Sequence, residues 1–204
     1  ALLFAIYPQA IVYSRFGFSY NLLPLLVLPA YLGLWEYVQT GRRGWLALAA
    51  LSIGLGTISD LWMLALVAPF GVIVLVRRWR DILWGLPLPA VPFSLYAIFL
   101  WSRAPQAFWT DLPFVLFRVS NTPLLGQFQN VALNYTVLLS QDFWMPCAVI
   151  GFLVLRPATL SRLTLLLFLL TLMILGRTIA LYNLSAHYMI PLLPFVAFGT
   201  AVLI

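Results

Sequence analysis

Long apolar runs separated by short basic punctuation make up most of this chain. The most informative run lies between Arg42-Arg43 and Arg77-Arg78-Trp79-Arg80, where residues 45–76 are apolar almost throughout and carry one charge, Asp60. As a single helix it would extend roughly 48 Å, against a hydrocarbon core of about 30 Å. One crossing would also leave an arginine cluster on each side of a membrane, against the bias that keeps such clusters cytoplasmic. The pattern therefore predicts a hairpin of two short helices, 45–58 and 61–76, turning at Ser59-Asp60. Both clusters then face inward and Asp60 faces outward. The first limb, roughly 21 Å long, is short for a full crossing, which fits a turn set below the outer headgroups. Irregular backbone at that depth must be surrounded by protein or line a wet cavity. Ser52, Gly54 and Gly56 leave room for a second helix to approach.

The remaining runs are oriented from this hairpin. Residues 1–13 read as the outer end of a span that finishes in the aromatic and basic collar Tyr13-Ser14-Arg15-Phe16. A second span covers about 20–38, with Pro24 and Pro29 as candidate bends, Trp35 and Tyr37 at its inner end, and Glu36 placed to pair with Arg42 or Arg43. A further span, about 83–101, carries Pro87, Pro89 and Pro92. Residues 103–136 form an outer loop, in which Phe108, Trp109, Leu112, Val115 and Leu116 keep helical spacing, as a helix lying on a membrane surface would. The next span starts near Phe143, with Asp142 at the surface, or near Val137, with Asp142 inside the bundle. Residues 163–181 return outward, and a last span follows His187 and runs to Ile204. The expectation is an all-α, polytopic membrane bundle of about eight segments, forming one transmembrane domain over residues 1–204.

Composition reinforces this reading. Hydrophobic residues make up 64% and charged residues 8% of the chain, whereas soluble chains carry about 25% charged residues. All eleven basic residues are arginine, seven at inner positions and four (Arg15, Arg103, Arg118, Arg177) at outer ones. The net charge of +6 thus follows from the positive-inside bias and does not call for a nucleic-acid partner. Cys147 is the single cysteine, which excludes an intrachain disulfide and a cysteine metal site. No cofactor is evident; a divalent metal is possible but not indicated, since no spacing of metal ligands, phosphate loop or serine elbow is present.

Chemistry is expected at the outer face, which collects Arg15, Asp60, Arg103, Asp111, Arg118, Asp142, Arg177 and His187. Arginine binds phosphate through paired N–H donors and stays charged, so an anionic ligand suits this set. Each residue also has a plainer reading. Asp60 fits a helix cap as well as a polar cavity. Arg15 and Arg177 fit headgroup anchors, and His187 fits an interfacial hydrogen-bonder.

Two sequence blocks carry a resemblance. Tyr13-Ser14-Arg15-Phe16, an apolar span, Arg42-Arg43-Gly44-Trp45-Leu46-Ala47-Leu48-Ala49 and Gly54-Leu55 before a polar turn form the first. The second is His187-Tyr188-Met189-Ile190-Pro191-Leu192-Leu193-Pro194-Phe195. Together they resemble the membrane core of the GT-C glycosyltransferases, in the branch of protein O-mannosyltransferases and aminoarabinose transferases. The resemblance implies transfer of a sugar from a polyprenyl-phosphate carrier to an acceptor at the outer leaflet. Arg15, Arg177, His187 and Tyr188 would then bind the lipid phosphate or donor, with Asp60 and Asp142 in a polar cavity. The family's catalytic aspartate loop has no counterpart here, its arginine before Tyr-x-x-Pro is His187, and a lysine common in its polar turn is replaced by Asp60. Either the catalytic part lies upstream of residue 1, making this chain a fragment, or the chain is a degenerate relative. The implied partners are membrane lipids and a lipid-linked sugar. A non-catalytic subunit of a larger membrane assembly is the alternative, and the all-arginine basic set points to a bacterial inner membrane.

Overall fold

The computed structural model describes residues 22–116, 143–154, 162–167, 169–171 and 192–204, with single positions at 126, 129, 132 and 133. Every regular element among them is helical. The chain is therefore all-α, as its composition and apolar runs predict.

Helix α1 (Leu23–Thr40) carries Pro24 in its first turn, where the missing N–H is no loss, and Pro29 in its interior. It closes on Gly41, whose φ of 68° is left-handed and whose N–H bonds to the Tyr37 carbonyl. A side chain is strained in that conformation, and glycine is not. Only Gly41 and Arg42 separate α1 from α2 (Arg43–Ser59), a connection short enough to make the two helices antiparallel neighbours. Gly33 lets them touch. A Cβ there would stand 2.8 Å from the Trp45 carbonyl oxygen and 2.9 Å from the Ala49 nitrogen.

The predicted turn at Ser59-Asp60 is present. Asp60 is extended, its N–H closes α2 onto the Gly56 carbonyl at 2.9 Å, and its own carbonyl accepts the Met63 N–H at 3.1 Å. The second limb differs from the expected uniform helix. Its first half, Leu61–Leu66, is a 3₁₀ segment, and an α-helix, α3 (Val67–Arg78), takes over from it. Met63 fills the space that a Cβ on Gly56 would need. Beyond that point α3 leaves α2, whose main partner along its length is α1.

A 3₁₀ turn at Trp79–Asp81 reverses the chain, which then climbs alongside α2. The predicted span 83–101 is broken in two here. A short α4 (Ile82–Gly85) ends in turns over residues 86–89, and α5 (Ala90–Arg103) starts after them. Pro87 and Pro89 explain the break, since neither has an N–H to give a continuous helix. The freed groups are satisfied locally by Ala90 N–H to the Pro87 carbonyl and Val91 N–H to the Leu88 carbonyl. Gly54 faces Pro89 so closely that a Cβ on it would overlap the proline carbonyl. The small residues Gly54 and Gly56 of α2 do admit close neighbours, but these are Pro89 of the turn and Met63 of the adjoining 3₁₀ segment, where the sequence predicts a second helix. Helix α6 (Pro105–Leu116) matches the helical spacing seen in the outer loop.

Helix α7 (Trp144–Val154) begins after a turn at Phe143, the first of the two predicted starts. It crosses α9 (Leu193–Leu203) at Gly151 and Gly199, where the two backbones meet without side chains between them. Between them in sequence lies α8 (Arg162–Thr171, residue 168 apart). Tyr31 joins these pieces, since its hydroxyl bonds to Thr164 of α8 and its ring meets Phe195 of α9 edge-on at 5.2 Å. Leu23, Val27, Leu34, Leu46, Ile53, Phe70 and Val196 complete a core drawn from α1, α2, α3 and α9.

Among the described residues one run, Met63–Arg103, is long and apolar enough to cross a membrane. Helices α2, α7 and α9 are apolar but shorter. The run is not one straight crossing, because it doubles back at Trp79–Asp81.

Candidate functional site

The best-defined polar constellation lies where α1, α2 and the 3₁₀ turn converge. Tyr37, at the C-terminal end of α1, donates its hydroxyl to Asp81 Oδ2 at 2.8 Å. Arg43, in the first turn of α2, places Nε and Nη2 at 3.0 and 2.8 Å from Asp81 Oδ1. Arg78 Nε stands 4.0 Å from Oδ2. Asp81 is 0% exposed while Arg43 is 52% exposed, so the carboxylate is covered by its partners at the rim of the bundle. Burial by itself raises the pKa of Asp81. The hydrogen bonds from Tyr37 and Arg43 and the charges of Arg43 and Arg78 outweigh it, and the group stays below the usual carboxylate range. With every approach to its oxygens occupied, Asp81 is a staple between helices. It has no open position for a substrate.

This arrangement settles one predicted contact. Arg43 pairs with Asp81, not with Glu36, and both ion pairs among the described residues use Asp81. Sequence reading passed over Asp81 because it stands inside a basic cluster and looks like a local charge balance. The available signal was its isolation, as the one acid directly following Arg77-Arg78-Trp79-Arg80. A lone acid among clustered arginines is a strong partner for whichever cationic group approaches from another helix.

The staple also fixes the geometry of the run that organises the sequence. Arg43 and Arg78, from the two basic clusters, share one carboxylate, so both clusters sit at the same end of α2. Asp60 caps the other end, half-buried and about 25 Å away along the helix. The run is therefore polarised, with both arginine clusters at one end and an acidic turn at the other.

Of the remaining residues predicted to bind the donor, Arg15, Arg177, His187 and Tyr188 lie outside the described residues, as does Asp142. Among the described residues no three His, Cys, Asp or Glu side chains gather as a metal site. Cys147 is a free, half-buried thiol. Comparison with protein-family models, with curated proteins and with solved structures finds no match for this chain.

Proposed function

We propose that this chain is the core of a polytopic protein of the bacterial cytoplasmic membrane, and that it serves a glycosyltransferase using a polyprenyl-phosphate sugar at the outer leaflet. The observation that carries the membrane reading is the folded-back segment, with both arginine clusters at one end and Asp60 at the other. That is the disposition expected of a helix pair with its basic ends in the cytoplasm. The exterior supports it. Helix α5 has no buried residue, and Val91, Leu95, Ile98, Phe99 and Trp101 stand 49–64% exposed around it. A helix that packs on α2 along one side and leaves large apolar side chains exposed over the rest of its surface suits lipid, not water.

The transferase assignment rests on the sequence resemblance and on the anion-binding chemistry of Arg15, Arg177 and His187. These cations would stabilise the phosphate that leaves as the sugar moves, while a carboxylate takes the proton of the acceptor hydroxyl. The test is transfer from a polyprenyl-phosphate sugar by the full-length protein in vesicles. Arg177→Ala and His187→Ala should each lower the rate roughly a hundredfold; unchanged transfer removes those residues from the site. The second reading is a non-catalytic subunit, favoured by the bare apolar surface of α5, which also suits a neighbouring helix. A partner co-purifying in fixed stoichiometry, with no transfer activity in the complex, would establish it.

A further inference from the structure

At the arginine end an open groove of about 330 Å³ runs between α1, α3 and α8, lined by Val38, Val72, Ile73, Val76, Leu163 and Leu166 with Arg77 and Arg162 among them. Its walls are apolar and unfilled, since Val72, Val76 and Leu166 are 45%, 82% and 37% exposed. Among the described residues neither cation has a carboxylate partner, since the ion pairs there are those of Arg43 and Arg78 with Asp81. Glu36 lies two residues before Val38 on α1. A two-residue step on a helix of 3.6 residues per turn carries it away from the face that Val38 presents.

We propose that this groove holds an anionic glycerophospholipid of the arginine-rich leaflet, with its phosphate between Arg77 and Arg162 and the start of an acyl chain along Val38, Val72 and Val76. Charge complementarity selects the head. Two guanidinium groups with no carboxylate partner among the described residues match a phosphate diester, which accepts their parallel N–H donors. Apolar walls beside them select a lipid over a free anion, whose hydration they cannot replace. Basic pockets between helices at the cytoplasmic surface recognise anionic headgroups in the same way. The site rests on the membrane reading above, but it stands at the opposite end of the bundle from Asp60 and owes nothing to the transferase assignment. Bound there, the lipid would tie α8 to α1 and α3.

The experiment uses the full chain purified from membranes in mild detergent, with retained lipid read by native mass spectrometry after exchange against phosphatidylglycerol or phosphatidylcholine. Retention of phosphatidylglycerol should exceed that of phosphatidylcholine by roughly tenfold. The double variant Arg77→Gln/Arg162→Gln should abolish the preference, and Val72→Trp, which fills an exposed wall, should weaken retention with the charges intact. Arg42→Gln/Arg80→Gln removes two arginines of the same surface and should leave the preference unchanged. Equal retention of both lipids, or equal loss in the Arg42/Arg80 control, overturns the proposal. Displacement by inorganic phosphate, or a preference for a polyprenyl phosphate, overturns the choice of occupant. If instead the protein fails to partition into membranes, the membrane reading itself fails, and the two failures are told apart.

Discussion

At the scale of single residues, Asp81 sets the terms. Tyr37→Phe removes one neutral donor to a buried carboxylate and should lower stability by about 1–2 kcal/mol, measured as a fall in Tm in detergent. Asp81→Asn loses more, because Arg43 and Arg78 keep their charges and lose their shared partner. Much of the Arg43 contribution is screened by solvent, so the further loss is modest. The pH dependence has a definite sign. Folding lowers the pKa of Asp81, so the unfolded chain, with its carboxyl near 3.9, takes up the proton first as acid is added. The staple contributes in full above about pH 5, and its contribution disappears as pH falls through the lower folded value. Wild type should therefore be more stable than Asp81→Asn at neutral pH and lose that advantage as acid takes the solution below the ordinary carboxylate range. An advantage that persists in acid would mean that Asp81 acts through shape and not charge. None of this was legible in the sequence. A charge pair between residues 43 and 81 depends on the chain returning along α2, and the local pattern offered Glu36 as a nearer partner for Arg43.

At the scale of elements, the readable features were those with a local cause. The turn at Ser59-Asp60, the helix over Phe108 and Trp109 and the role of Gly54 and Gly56 all follow from residue type within a few positions. The split of the predicted span 83–101 had a local cause as well, in Pro87 and Pro89, but apolar length concealed it. The 3₁₀ start of the second limb and the meeting of Gly151 with Gly199 depend on which helix lies opposite, and periodicity carries no such information. Glycines on neighbouring helices allow a paired test. Gly54→Val pushes a side chain into the Pro89 carbonyl, a backbone group that cannot swing aside, and should cost about 2–3 kcal/mol. Gly71→Ala, within α3, meets nothing within 4 Å and should gain about 0.5–1 kcal/mol from helix propensity alone. If both variants unfold at the wild-type temperature, the close approach of α2 to Pro89 is not a feature of the protein in its membrane.

At the scale of the whole molecule, polarity along α2 is what the proposed function requires, and it makes a compartment-level prediction. Asp60 and Arg80 stand only twenty positions apart in sequence, yet α3 and the 3₁₀ segment carry the chain from one end of α2 back to the other. If the bundle lies in a membrane with its arginines inward, a cysteine at position 80 is reached from the cytoplasm alone. A cysteine at position 60 is then reached from the outer side, or only by small thiol reagents if the turn sits beneath the headgroups, as the length of α2 allows. Labelling with an impermeant maleimide in intact cells and in inverted vesicles, on a background with Cys147→Ser, reads both positions. The expected result is complementary labelling, with position 80 modified only in inverted vesicles and position 60 never modified there. Modification of both from the same side would place the acidic turn and the basic cluster at one surface. The bundle would then lie along the membrane or outside it, and a donor phosphate held by Arg15, Arg177 and His187 opposite the arginine clusters would have no leaflet to occupy.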